Sequence, residues 1–203
     1  MKIVLATHNA HKVAELRRIL GSQLDGLELV GYDGPEPVED GDTFEANALI
    51  KARAAAAFTG LPAIADDSGI SVDALGGAPG IHSARYAGTR DDGDNLRLLL
   101  ANLGDESNRA AQFVCAAALV IPAADGRAGF EHVELGVWPG TVAIHAAGAG
   151  GFGYDPVFVP ATHQTTATHG ITAAEMSADE KDAVSHRARA FGQLMPIVRK
   201  NLL

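Results

Sequence analysis

An apolar run, Leu61-Pro62-Ala63-Ile64-Ala65, ends on two adjacent carboxylates, a hydroxyl and a glycine, Asp66-Asp67-Ser68-Gly69. The run reads as a buried strand, and strand ends are where open α/β sheets place their chemistry. Acids at such a point hold a hard cation through oxygen, or take a proton from water. A surface turn is the plain alternative, because Asp, Ser and Gly are also common turn residues. The continuation favours function. Ile70 to Leu75 leads into Gly76-Gly77-Ala78-Pro79-Gly80 and then Ser83-Ala84-Arg85-Tyr86, more glycine than a simple turn requires.

The elements around this stretch alternate. Lys2 to Ala6 reads as a strand apolar on both faces, and Thr7-His8-Asn9 as a turn with capping chemistry. Val13, Leu16, Ile19 and Leu20 then recur at helical spacing up to a terminal Gly21. Gly31 to Asp42 is a loop rich in Pro, Gly and acid. Thr43 caps a helix to about Phe58, with Phe44, Ala48, Ala52 and Ala55 on one face. Asp91 to Leu103 is a Leu-rich helix, Ala110 to Ile121 a long strand, and Asp125-Gly126 a hairpin turn. Val133, Leu135 and Val137 alternate with polar residues, which marks a half-exposed strand. Ser177-Ala178-Asp179-Glu180 is a capping box opening a C-terminal helix, expected to kink or break near Pro196. Early βα alternation with a central hairpin predicts a mixed sheet. No repeat, linker or low-complexity segment interrupts the 203 residues, so one domain over 1–203 is expected.

A net charge of −9, from 16 basic and 25 acidic residues, argues against a duplex-binding or anionic-membrane surface. Small anions stay admissible, because a few lysines and a metal invert the sign locally. Cys115 is the single cysteine and lies in an apolar run, so a reducing compartment is expected. No signal peptide is visible, and Phe113 to Ala124 is too short to span a bilayer. The expected location is the cytoplasm.

Four constellations carry candidate chemistry. Thr7-His8-Asn9-Ala10-His11-Lys12, at a helix start, is a ready anion site or an ordinary cap beside a solvated lysine. No P-loop pattern occurs anywhere. Glu39-Asp40-Gly41-Asp42 precedes Asn47 and Lys51, which share one face of the next helix. Gly148-Ala149-Gly150-Gly151-Phe152-Gly153-Tyr154-Asp155-Pro156 contains a G-x-G-x-x-G match. Val157-Phe158-Val159 continues it as strand or loop and not as an amphipathic helix, so the dinucleotide reading is rejected. Phe152 or Tyr154 there stacks on a planar base, or packs in the core. Lys181 and Ser185-His186-Arg187 form the fourth set; for Arg187 to bind a ligand, the helix must break near Ser185. His163 and His169 have poor ligand spacing and receive no metal.

Taken in order, these segments resemble the Ham1-like inosine/xanthosine triphosphate pyrophosphatase family. The resemblance rests on Thr7-x-Asn9-x-x-Lys12, on Ala65 to Gly69 with Leu75 to Gly80 and Ser83 to Tyr86, on Gly151 to Pro156, and on Ser185-His186-Arg187. Thr43-Phe44, Asn47-Ala48 and Lys51-Ala52 match too. It implies a homodimeric α/β protein with an elongated mixed sheet flanked by helices, in two lobes with a central cleft. It also implies magnesium-dependent hydrolysis of a non-standard purine nucleoside triphosphate to the monophosphate and pyrophosphate, with no nucleic acid or membrane partner. On that pattern Asp67 and Lys51 are catalytic, and Glu39 and Asp67 hold the metal. Thr7, His8, Asn9, Ala10, His11, Lys12, Lys51 and Lys181 contact phosphate. Ser68, Phe152, Gly153, Tyr154, Asp155, His186 and Arg187 contact ribose and base. Two features depart from the pattern: the segment 160–174 is longer and richer in Thr and His, and position 8 is His where small residues are common. A Maf-like enzyme of modified pyrimidine nucleotides and a non-catalytic nucleotide-binding regulator are the alternatives.

Overall fold

The computed structural model describes residues 1–123, 128–166 and 169–203. Its strands are β1 (Lys2–Leu5), β2 (Glu28–Gly31), β3 (Ala63–Val72), β4 (Ala110–Ile121), β5 (Phe130–Val142) and β6 (Phe158–Pro160). They make one sheet in the order β2-β1-β3-β4-β5-β6. β1 is parallel to β2 and β3, whereas β5 and β6 are antiparallel, so the expected mixed α/β sheet is what forms. The helices among the described residues are α1 (Ala10–Leu20), α2 (Phe44–Thr59), α3 (Asp92–Leu103), α4 (Ala178–Val184) and α5 (His186–Leu202). The chain divides into two compact units, one of Met1–Asp67, Cys115–Gly136 and Arg187–Leu203, the other of Ser68–Val114 and Val137–His186.

Strand periodicity organises the first unit. Successive side chains of a strand point to opposite faces. Ile3, Leu5, Ile64, Cys115, Ala117 and Leu119 pack with Leu16 and Leu20 of α1 and with Phe191, Leu194, Met195 and Val198 of α5. Their chain neighbours Val4, Ala6, Ala63, Ala65, Ala116, Ala118 and Val120 pack with Ala48, Ala52, Ala55 and Ala56 of α2. The α2 face is almost all alanine, so that helix meets the sheet through small side chains on both sides. The second unit has its own core, in which Phe113, Trp138, Tyr154 and Phe158 gather with Ile70, Val72 and Leu99.

Local chemistry fixes the ends, as expected at Asn9, Thr43 and the Ser177–Glu180 capping box. The Asn9 side chain caps α1, Thr43 caps α2, Asp91 caps α3, and Ser177 with Glu180 forms the capping box of α4. Two expectations need correction, and one strand was not foreseen. β3 does not stop at Ala65 but runs through the acids to Val72. β2 went unforeseen: only Leu29 and Val30 are apolar in its four residues, too few to show a period, and pairing with β1 creates it. The C-terminal helix breaks at Ser185, which is extended (φ −64°, ψ 161°), while Pro196 lies inside α5. Burial of Phe191, Leu194, Met195 and Val198 holds α5 together across the one hydrogen bond that proline removes. β5 alternates between buried and exposed residues, as expected of a half-exposed strand, with Gly136 and Trp138 buried and Leu135 and Val137 exposed. The hairpin turn expected at Asp125-Gly126 falls outside the described residues.

Gly69 explains part of the motif's composition. A Cβ there would stand 2.4 Å from the Gly80 carbonyl oxygen and 2.4 Å from Ser83 Oγ. Only glycine permits that approach. Ser83 Oγ then accepts from the Ile70 N–H at 2.9 Å and donates to the Gly80 carbonyl at 2.7 Å, tying β3 to the glycine-rich segment.

Candidate active site

Because β3 continues through them, Asp66 and Asp67 fall on opposite faces of the sheet. Asp66 shares the phase of Ile64, on the α1 and α5 side; Asp67 shares that of Ala63 and Ala65, on the α2 side. β1 ends at Leu5, paired with Ile64, so the neighbouring strand stops short of both acids.

Asp66 is 1% exposed and sits among cations. Lys12 Nζ of α1 lies 2.9 Å from its Oδ2, and Arg187 of α5 donates to the same oxygen from Nη2 at 3.2 Å and Nε at 3.3 Å. Arg187 Nη1 donates in turn to buried Glu15. Burial by itself would raise the Asp66 pKa, but Lys12, Arg187 and Lys51 outweigh it and hold the carboxyl far below the usual range. Burial would lower the Arg187 pKa, and Asp66 with Glu15 more than reverse that.

On the α2 side, Lys51 Nζ stands 2.8 Å from Asp67 Oδ1 and 3.5 Å from Glu39 Oε2. Burial pulls the Lys51 pKa down, but Asp67, Asp66 and Glu39 together raise it, so the ammonium stays charged. Lys51 therefore gathers the two carboxylates expected to hold metal. Asp67 Oδ2 is buried and has no hydrogen-bond partner. An acceptor in that state fits a hard cation. Among the described residues no three or more His, Cys, Asp or Glu side chains gather to hold a metal by themselves. A cation here would draw its remaining oxygens from substrate and water, as magnesium habitually does.

The turn before α1 is built by its own polar groups. Asn9 Oδ1 accepts from the His11 and Lys12 N–H groups at 2.9 and 3.2 Å, and the Asn9 N–H donates to Thr7 Oγ1 at 3.2 Å. His8 is exposed, its ring 5.4 Å from that of Tyr32. Ala10 opens the helix, and His11 is exposed beside it.

The second unit carries a separate group. Asp155 Oδ2 accepts from Lys181 Nζ at 2.6 Å and from the Phe152 N–H at 2.9 Å. The Gly153 N–H donates to Asp92 Oδ2 at 2.8 Å, and the Lys181 ammonium lies 5.1 Å from the Phe152 ring centroid. Phe152 is half-buried; Tyr154 is core, its hydroxyl donating to the Ser83 carbonyl at 2.9 Å. Tyr154→Phe is therefore expected to lower stability by about 1 kcal/mol, read by urea denaturation. His186 is buried, stacked on Phe113 with centroids 4.7 Å apart. Ser68 is half-buried on β3.

Sequence reasoning missed Glu15, Asp92 and Arg109. Glu15 had a signal, an acid immediately beside Leu16 on the apolar face of α1. Asp92 had none, because its partner is distant in sequence. Arg109 is buried and donates to the Val142, Ala143 and Gly104 carbonyls. Cys115 is buried, and burial pushes its thiol up to about 12.

The mixed α/β sheet thus carries two buried acids that are met by lysines from flanking helices, an arrangement compatible with an enzyme of phosphorylated substrates. The chain belongs to the Ham1 family, whose sequence model matches residues 3–197. It is 55% identical over 202 residues to a dITP/XTP pyrophosphatase of Leifsonia xyli subsp. xyli, covering 98% of this chain and 96% of that protein. Among solved structures, a HAM1 protein from Coxiella burnetii superposes with a TM-score of 0.83 at 40% identity, covering 98% of this chain and 99% of the other. A Mycobacterium abscessus nucleoside-triphosphatase, dITP/XTP pyrophosphatase, gives 0.74 at 48% identity, covering 98% and 100%.

Proposed function

We propose that this chain is a pyrophosphatase of non-standard purine nucleoside triphosphates, taking ITP, dITP and XTP to the monophosphate and pyrophosphate. The observation that carries the residue roles is the Lys51–Asp67 contact at 2.8 Å, with the second Asp67 oxygen buried and unbonded. Membership of the Ham1 family and similarity to dITP/XTP pyrophosphatases support the reaction class and the dITP and XTP substrates, and the motif resemblance adds ITP.

In this mechanism Asp67 accepts a proton from the attacking water at its carboxylate. A free aspartate, with a pKa of about 3.9, is a weak base, so placement must do much of the work. Glu39 and Asp67 would hold Mg2+, which when bound offsets phosphate charge and positions oxygen. Lys51 keeps its proton and stands against the charge that develops on the phosphate. Lys12, with Thr7 to His11, cradles the phosphate chain, and Lys181 adds a further cation. Phe152 supplies a flat apolar face for the base, with Gly153, Tyr154 and Asp155 shaping its loop, and Ser68 and His186 serve the ribose and base end. Arg187 or a backbone N–H donates to the purine 6-oxygen, an acceptor where adenine has a donor. Because Asp66 and Glu15 fix the orientation of the Arg187 guanidinium, that donor is pre-organised. Such a mismatch rejects ATP by roughly four orders of magnitude.

Incubation with ITP, dITP, XTP, ATP, GTP and a modified pyrimidine triphosphate in magnesium, with pyrophosphate measured, tests this. Fast release from the first three supports it; equal rates on all, orthophosphate as first product, or binding without product overturns it. No helix among the described residues is long and apolar enough to cross a membrane. A cytoplasmic location, absence of nucleic acid partners, a homodimer and one functional domain over 1–203 complete the proposal. The single domain is supported by the way each compact unit is assembled from separated segments of chain. Sedimentation equilibrium reading twice the chain mass supports the dimer.

A further inference from the structure

Asn47, one turn before Lys51 on α2, has no part in the chemistry above, yet it is fully buried. Its Oδ1 accepts the Gly41 N–H at 2.9 Å. The contact is tight: a Cβ at position 41 would stand 2.7 Å from Asn47 Oδ1 and 2.7 Å from Ala46 Cβ. Gly41 lies in the acidic loop that carries Glu39, two residues before the Thr43 cap of α2. The loop is thus pinned to α2 at Gly41 by Asn47, while Lys51 on the same helix reaches Glu39 and Asp67. Asn47 Nδ2 is buried without a hydrogen-bond partner. A buried amide that satisfies one atom and leaves the other without a partner carries a desolvation cost, which a positional role or a ligand oxygen would offset.

We propose that Asn47 is a positioning residue that latches the Glu39–Asp42 loop to α2, setting where Glu39 stands relative to Asp67 and hence how tightly the pair holds a divalent cation. This rests on the assignment of Glu39 and Asp67 as the cation-holding acids. Residues that orient a metal ligand typically change metal affinity 10–100-fold when removed. The latch acts on Glu39 alone, through the backbone, so the low end of that range applies.

The experiment compares wild type, Asn47→Ala and Asn47→Asp. Turnover of ITP is titrated with Mg2+, and hydrogen exchange of the Gly41 amide is followed in metal-free protein. Asn47→Ala is expected to raise the half-saturating Mg2+ about tenfold, with a smaller change in kcat at saturating Mg2+. It should also speed Gly41 exchange while leaving the amides of β3 as slow as in wild type. Asn47→Asp keeps an acceptor and should restore Gly41 protection. Unchanged Mg2+ dependence in Asn47→Ala, or a lowered melting temperature with Gly41 exchange unaltered, overturns the latch. Failure of the functional assignment is distinguishable, since wild type would then release no pyrophosphate from ITP whatever Asn47 does. Gly41 exchange is read without substrate or metal.

Discussion

Asp67→Asn is expected to lower kcat for ITP about a thousandfold, within the usual range for loss of a positioned general base, with the fold retained. The amide matches the carboxylate in shape but carries no charge for a cation and cannot take a proton from water near pH 7. It does keep an oxygen for Lys51 Nζ, which lies 2.8 Å from Asp67 Oδ1, and Glu39 remains at 3.5 Å. The buried ammonium is therefore not stranded. Circular dichroism and the melting temperature should stay near wild type. A variant keeping a tenth or more of the wild-type rate would show that the proton goes elsewhere.

Arg187→Met should have the largest effect on stability, a loss of about 3–5 kcal/mol at pH 7. Arg187 and Asp66 are each 1% exposed and Glu15 is 3% exposed, so removing the guanidinium leaves two carboxylates inside the protein. Lys12 and Lys51 still act on Asp66, but burial then raises its pKa with less opposition. The pH dependence comes from the direction of that shift. In wild type the folded-state pKa of Asp66 is depressed below its unfolded value of about 3.9. Its stabilising contribution is full above that value and falls away as the pH drops towards the folded pKa. In the variant the pKa is less depressed, so acid costs it less. The gap between the two proteins should be widest near neutrality and narrow below about pH 4, read by urea denaturation across pH. A gap that does not change with pH would mean that shape alone, and not the ion network, is responsible.

Much of the frame was legible in the sequence because it is written in short-range chemistry. Asn9, Thr43, Asp91 and Ser177 cap helices through bonds to residues two or three positions on. The span of β4 follows an apolar run broken only by Gln112. Lys51 could be singled out because a cation in an alanine-rich helix beside an acidic loop is conspicuous, and the structure places it on Glu39 and Asp67. The break at Ser185 was legible only as a condition on Arg187. Glu15 and Asp92 were not selected, since what gives each its role is a partner far along the chain, Arg187 for one and Gly153 for the other.

What the sequence determined by itself was the alternation of most elements and the caps of α1, α2 and α4, which depend on neighbours within one or two turns. What the tertiary structure alone decided was the separation of Asp66 from Asp67. Consecutive residues read as one acidic unit, but once pairing extends β3 to Val72 the two-residue period of a strand sends them to opposite faces. Asp66 becomes the anchor of Lys12 and Arg187, and Asp67 the partner of Lys51. Strand extent is set by pairing across the sheet, an interaction between residues far apart in the chain, and no local pattern encodes it.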